Sequence, residues 1–284
     1  MHYRLIGIDL DGTLLDRRGR LSAANRAAIA RAQAAGVLVV PCTGRAWRES
    51  LTVLTDFPNP TKGIFASGAA VADIPTGKAI DIAVLEPHLA MDLVRRLEPR
   101  RQAVLVLREQ NITGHDYLVT GQGSLSPSTE WWFQVFGAVA CFKRQITLED
   151  LHHTLRVGMV GPAGEMREVA DDVLAAVGAQ VVVQSFEAVK DQSGTSVHVL
   201  EIFARDVHKW RGLSWLATQM GVTAGEVAVI GDEVNDIAAM QSAGCGIAMG
   251  NAIEPVKQVA RYVTHDCDHD GVAYAIGQLL EGIW

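Results

Sequence analysis

Two aspartates, Asp9 and Asp11, stand two residues apart at the end of an apolar run in IGIDLDGTLL (residues 6–15), and Gly12-Thr13 follows at once. Buried or crowded carboxylates tend to keep their protons, so something must hold such a pair ionised. A second acidic group comes late in the chain, in GDEVND, with Asp232, Asn235 and Asp236. Asp9, Asp11, Asp232 and Asp236 in one crevice would bring about four negative charges together, and without a cation at least one would protonate. Carboxylate oxygens are hard donors that suit Mg²⁺, which takes one or two carboxylates, keeps waters and shares phosphate oxygens. Asp232 and Asp236 are four apart and share a face if Glu233 onward is helical. Within the DLD pair, one carboxylate can attack phosphorus and form an aspartyl phosphate. The other can protonate the departing oxygen and then take a proton from the attacking water. Gly12 allows close backbone approach. A Thr43 hydroxyl can donate to a phosphoryl oxygen, and Lys209 can neutralise charge developing there.

Each residue alone has an ordinary explanation. Asp9 pairs with a lysine, Asp11-Gly12 is a turn, Arg45 is a solvated helix start, and GDEVND caps a helix. What points to chemistry is the elements that gather them. YRLIGIDL is a buried strand, and LSAANRAAIARAQAAG is a helix with Ser22 as N-cap and Gly36 as its stop. VLVVPCTG is a second strand ending at Gly44, and GIFASGAAV a third. Late in the chain KWRGLSWLATQM is helical and VAVIGD a strand. EVNDIAAMQSAG is a helix ending at Gly244, CGIAMG a strand, and DGVAYAIGQLLEGIW a terminal helix. Alternating helices and near-continuous apolar strands predict a doubly wound, Rossmann-like parallel sheet in an α/β fold. Ligands of such sheets bind at the carboxyl ends of the strands. Asp9, Asp11, Thr43, Asp232, Asn235 and Asp236 all fall on that edge, and Lys209 opens the helix before the VAVIG strand.

Between the halves lies a segment of another character. It holds a helix (EPHLAMDLVRRL), a strand (AVLVLRE), a polar loop (TGQGSLSPSTE) and a Trp131-Trp132-Phe133 cluster read as core, or else as an aromatic wall over the substrate. LRVGMVG is a strand and GEMREVADDVLAAVG a helix. VVVQSF and SVHVLEIFA are β segments joined by EAVKDQSGT, a hairpin connection. The expected division is a core of residues 1–83 and 188–284 with an inserted α/β domain of residues 84–187. HDCDHDG (265–271) reads as a polar loop, and His152-His153 as an exposed helix start.

DLDGTLL, CTGR, a late lysine and GDEVNDIAAM together resemble the haloacid dehalogenase superfamily of phosphatases, over nearly the whole chain. The size of the insert is similar to the large α/β cap (type C2B) of its Cof-type, or type IIB, branch. The resemblance implies a Mg²⁺-dependent phosphomonoesterase working through a phosphoaspartate, with Asp9 as nucleophile and Asp11 as general acid/base. It implies that Asp9, the Asp11 main-chain carbonyl and Asp232 ligate the metal, and that Asp236 supports the metal or the lysine. Thr43, Lys209 and Asn235 would hold the phosphoryl group, with Asp11, Gly12 and Gly44 expected among the phosphate-binding residues as well. The chain departs from the family at Ser67-Gly68, where Asn-Gly is common, and at Lys209-Trp210, where Lys-Gly is common. Both bear on pocket shape.

The bulk numbers agree with a two-domain soluble enzyme. The 284 residues are 49% hydrophobic and 20% charged, with a net charge of −7. The densest basic cluster, Arg95, Arg96, Arg100 and Arg101, reads as a solvated helix end, so nucleic acid is not expected as a partner. No stretch reaches the roughly 18 unbroken apolar residues of a membrane span, and no leader is expected before the first strand. Four cysteines without CxxC spacing argue against a disulfide scaffold and for a cytoplasmic location. The expected substrate is a small phosphate ester, most simply a sugar phosphate, over which the insert would close; the expected protein is a monomer or homodimer. A phosphosugar mutase is the alternative within the same chemistry. A receiver-like module that only holds a phosphoaspartate would need one acidic cluster and about half the length, and no GxGxxG follows the first strand to bind a nicotinamide.

Overall fold

In the computed structural model, which describes residues 2–190 and 196–284, the chain divides into two compact units. One is Met1–Asp81 with His208–Trp284, the other Ile82–Val207. In chain order the strands of the described residues are β1 (Leu5–Ile8), β2 (Leu38–Pro41), β3 (Lys62–Phe65), β4 (Ala70–Asp73), β5 (Ala79–Ile82), β6 (Val104–Arg108), β7 (Tyr117–Thr120), β8 (Ala140–Phe142), β9 (Thr154–Gly161), β10 (Val181–Lys190), β11 (Ser196–Ala204), β12 (Val227–Gly231), β13 (Cys245–Ala248) and β14 (Tyr262–Val263).

The first unit is built on a parallel sheet in the order β14-β13-β12-β1-β2. A Cys42–Ile64 bridge brings β3 alongside β2. From β1 the chain winds outward through β2 and returns on the other side as β12. The switch point therefore lies between β1 and β12, where Ile8 pairs with Ile230. The LIGI strand is buried at every position, as a strand covered on both faces must be. A Cβ at Gly7 would come 2.8 Å from a methyl end of Leu213, on the helix Lys209–Gln219, so a larger residue there would require Leu213 to shift. The helix Ala23–Ala34 starts at Ser22, whose hydroxyl accepts the Asn25 N–H at 3.0 Å, and Gly36 at φ 84° carries the chain out.

Two expectations change in this unit. The single strand read in GIFASGAAV is a hairpin: β3 and β4 pair antiparallel around Ala66–Gly68, where Ala66 (φ 48°) and Ser67 (φ 53°) are left-handed. Such backbone costs an L-residue about 1–2 kcal/mol, so composition gave no sign of the turn. The helix read in EVNDIAAMQSAG is a short turn, Val234–Asp236, followed by a helix over Ile237–Ser242. Asp236 folds back to accept the N–H groups of Asp232 (3.0 Å) and Glu233 (3.1 Å), which shapes the turn before the helix begins. Asp232 and Asp236 thus meet through a loop rather than along one helical face.

The β3–β4 hairpin carries a testable charge pair. Lys62 donates to Asp73 at 2.8 Å, and the Thr76 hydroxyl and N–H donate to the same carboxylate. The Lys62 hydrogen bond, then those of Thr76, hold Asp73 down at about 2. The ordinary carboxylate value is near 4, so this contact stabilises the fold above about pH 4 and is lost as pH falls through about 2. An NMR titration is expected to place the Asp73 midpoint near 2, and Asp73→Asn to flatten stability across that window. A midpoint near 4 would contradict the pairing.

The second unit has a six-stranded sheet in the order β10-β11-β9-β6-β7-β8, antiparallel except between β7 and β8. Its core lies between this sheet and the helices Pro87–Leu97 and Ala163–Val177, around Leu93, Val106, Val157, Val169 and Ile202. The unit runs to Val207, not to 187, because β11 pairs with both β10 and β9 and takes residues 196–204 with it. Residues 191–195 of the EAVKDQSGT connection lie outside the described residues, and 187–190 continue β10. The end of TGQGSLSPSTE opens a helix, Pro127–Phe136, capped by Ser126 on the Thr129 N–H (3.1 Å). On it only Phe133 is core, stacked on Tyr117; Trp131 is exposed and Trp132 packs on Phe136. His152-His153 is not a helix start: it follows a short turn and leads into β9, with His153 at φ 60°.

Candidate active site at the carboxyl edge of the first sheet

Asp9 follows β1 and donates its N–H to Ile230 O of β12 (3.0 Å), which sets its side chain at the switch point. Lys209 Nζ lies 2.6 Å from Asp9 Oδ1 and 2.6 Å from Asp236 Oδ1 and donates to both. These contacts join residues 200 and 27 positions apart. Lys209 is completely buried at the first turn of its helix, which His208 caps by accepting the Arg211 N–H (3.1 Å). A helix N-terminus disfavours a cation and burial disfavours it further. Asp236 and Asp9 outweigh that burial and hold the ammonium firmly protonated.

The acidic cluster closes with Asp232. Asp9, Asp232 and Asp236 offer carboxylate oxygens that all lie within 4.8 Å of one another. Burial is the main force raising Asp9, with Asp236 and Asp232 adding to it against the pull of Lys209. Asp232 is pushed up to about 7, first by burial and then by Asp236, with the Thr13 hydrogen bond opposing. One ammonium therefore does not compensate three crowded carboxylates, and a divalent cation is the complement this donor set lacks. The residues fit such an ion: they are hard oxygen donors, close together and shielded from water. Gly12, at φ 75°, leaves the space open, since a Cβ would fall 2.3 Å from Asp232 Oδ2.

Thr43 is buried beyond β2, with its hydroxyl accepting the Arg45 N–H (3.1 Å). Gly44 lies between a hydroxyl and an amide: a Cβ there would stand 3.4 Å from Ser67 Oγ and 3.6 Å from Asn235 Nδ2. The Asn235 amide oxygen is buried with no hydrogen-bond partner among the described residues. Asp9, Lys209, Asp232 and Asp236 are thus brought together in the first unit, while Thr43 follows β2 and Gly44 lies near Asn235. Asp11 differs from the others: its side chain is about half exposed and pairs with Arg45, whose Nε donates at 2.7 Å while Nη2 closes a second bond.

Three neighbours were given no part in the site by the sequence. Thr13 Oγ1 donates to Asp232 Oδ1 at 2.6 Å, and Asn251 Nδ2 to Gly12 O at 2.8 Å, so each ties the DLDGT turn to GDEVND or to the loop after β13. Arg45 is the third; Ser67, expected to bear on pocket shape, lies near Gly44. Thr13 lies within DLDGT and Asn251 directly after CGIAMG, but their partners are 219 and 239 positions away.

With this geometry in hand, the comparisons are specific. A family model described as haloacid dehalogenase-like hydrolase matches residues 6–276. The chain belongs to that family. It is 31% identical to 5-amino-6-(5-phospho-D-ribitylamino)uracil phosphatase YwtE of Bacillus subtilis, across 98% of this chain and 99% of that protein. It is 28% identical to phosphatase YwpJ of the same organism, across 98% and 100%. A haloacid dehalogenase-like hydrolase from Bacteroides thetaiotaomicron superposes with a TM-score of 0.78 at 25% identity, covering 98% of this chain and 99% of that one. The subclass IIB sugar phosphatase BT4131 superposes at 0.77 and 21% identity, covering 99% and 100%, and so shares the fold. This hydrolase therefore shares its α/β fold with solved haloacid dehalogenase-like structures, and its acidic cluster could hold a metal ion. No helix of the described residues is long and apolar enough to cross a membrane.

Proposed function

We propose that this hydrolase is a Mg²⁺-dependent phosphatase of a small phosphorylated metabolite, a sugar or polyol phosphate, acting through an aspartyl phosphate on Asp9. The observation that carries the reading is the meeting of Asp9, Asp232 and Asp236 around one point, with Lys209 buried against two of them. Asp9, Asp232 and the Asp11 carbonyl would hold the ion, with Asp236 supporting it and Lys209. When bound, Mg²⁺ would screen the carboxylates and withdraw charge from the phosphoryl oxygens.

This chain's residues then divide the work. An Asp9 carboxylate oxygen attacks phosphorus; the bond to the ester oxygen breaks, and that oxygen takes a proton from Asp11. Water next attacks the phosphoaspartate, gives its proton to Asp11, and releases phosphate and a free Asp9. Lys209, the Thr43 hydroxyl, the Asn235 amide and the N–H groups around Gly12 and Gly44 receive the phosphoryl oxygens. We assign the core to the first unit and the leaving-group-selecting cap to the second. The names of YwtE and BT4131 support a phosphorylated sugar or polyol as the class.

The test is phosphate release from a panel of phosphorylated sugars and polyols. Release is expected with Mg²⁺ and to fall to background in excess chelator, returning when Mg²⁺ is restored. Undiminished turnover in chelator would defeat the reading.

A further inference from the structure

We infer that Arg45 is a positioning residue for Asp11: its guanidinium fork fixes the carboxylate that passes the proton to the leaving group. The inference rests on the proposed function, which gives Asp11 that task. Sequence reading made Arg45 a solvated helix start, yet its side chain is about nine-tenths buried. It meets Asp11 through two nitrogens, Nε to Oδ2 (2.7 Å) and Nη2 to Oδ1. Two-point contact sets the rotation of a carboxylate as well as its place, which a single lysine ammonium does not do.

Arg45 is the anchored partner. Its N–H is held by Thr43 Oγ1 (3.1 Å), its carbonyl accepts the Ala66 N–H (2.9 Å), and its Nη1 donates to Glu49 O (3.3 Å). Burial opposes its charge, but Asp11 and the buried Glu49 carboxylate more than offset this and hold it protonated. Asp11, by contrast, is about half exposed, on a turn that includes Gly12. An exposed carboxylate has several rotamers, and each one lost to the wrong orientation lowers the chance of proton transfer. The left-handed Ala66-Ser67 turn gains a role here, because it delivers the N–H that holds the Arg45 carbonyl.

The experiment compares two substrates in Arg45→Ala and Arg45→Lys. p-Nitrophenyl phosphate releases a stable phenolate that needs no proton; n-butyl phosphate releases an alkoxide that must take one. kcat/KM reports on steps up to leaving-group departure. It is expected to fall about 100-fold for n-butyl phosphate in Arg45→Ala, within the range of general acid catalysis, and less than about threefold for p-nitrophenyl phosphate. Arg45→Lys should recover only part of the n-butyl phosphate loss. kcat for both substrates can fall together where water attack limits turnover, so the contrast is read in kcat/KM. A misfolded fraction would lower both substrates equally, and an equal loss, or no loss on n-butyl phosphate, would overturn the inference. Wild-type Mg²⁺-dependent turnover together with an inactive Asp9→Asn separates that failure from failure of the proposed function, which would overturn both.

Discussion

Asp9→Asn is expected to lower phosphate release by about 10⁴-fold or more, the scale on which removal of a covalent nucleophile is felt. The substitution keeps the size of the side chain and leaves Lys209 its contact with Asp236, so the protein should stay folded. It also removes one of the crowded carboxylates whose burial is unfavourable, so thermal stability in chelator should be equal to or above that of the wild type. The pairing of lost turnover with retained stability is the diagnostic. Stopped turnovers trapped with acid should show protein-bound phosphate in the wild type and none in the variant. Wild-type rates in Asp9→Asn would remove the nucleophile from the account, whatever the metal does.

The second large effect is on stability. Lys209→Met takes away the one ammonium held between two buried carboxylates at 2.6 Å each. Breaking a buried pair by removing one partner strands an uncompensated charge and costs about 3–5 kcal/mol. That is a large part of the 5–15 kcal/mol by which domains are usually stable. Urea unfolding in chelator is expected to show a midpoint shift of this size with an unchanged slope. Mg²⁺ should recover part of the loss, because an ion bound only by the folded state stabilises it by mass action. Turnover should not return, since Met cannot offset charge on a transferring phosphoryl group. Equal midpoints for the two proteins in chelator would mean that Lys209 carries no such electrostatic weight.

Both effects depend on an arrangement that the amino-acid order foreshadowed. The apolar runs LIGI and VAVIG, each followed by aspartate, are local signals. A parallel strand must be apolar throughout and must release its ligands where it ends, so Asp9, Thr43 and Asp232 could be assigned to one edge without coordinates. The Ser22 cap and the Gly36 stop were legible for the same reason, being set by hydrogen bonds within a few residues. In the second unit the helices Pro87–Leu97 and Ala163–Val177 and the strands β6, β9, β10 and β11 were equally plain, whereas β7 and the helix Pro127–Phe136 were not read. Short strands without a strong pattern, such as β8 and the two-residue β14, were not.

What the sequence by itself determined, then, was the set of charged residues that follow the apolar strands and the family that their motifs resemble. Only the tertiary structure decided how they are held. Asp11 turns to Arg45, Thr13 to Asp232 and Asn251 to Gly12, while Asp236 folds over its own backbone instead of lying along a helix. Ala66 and Ser67 take backbone angles that their side chains do not favour, and β11 joins β9 and β10 rather than the first unit. The physical reason is range. Periodicity and capping are written within one turn or one strand, whereas partners more than 200 positions apart are chosen by packing, which no local pattern records.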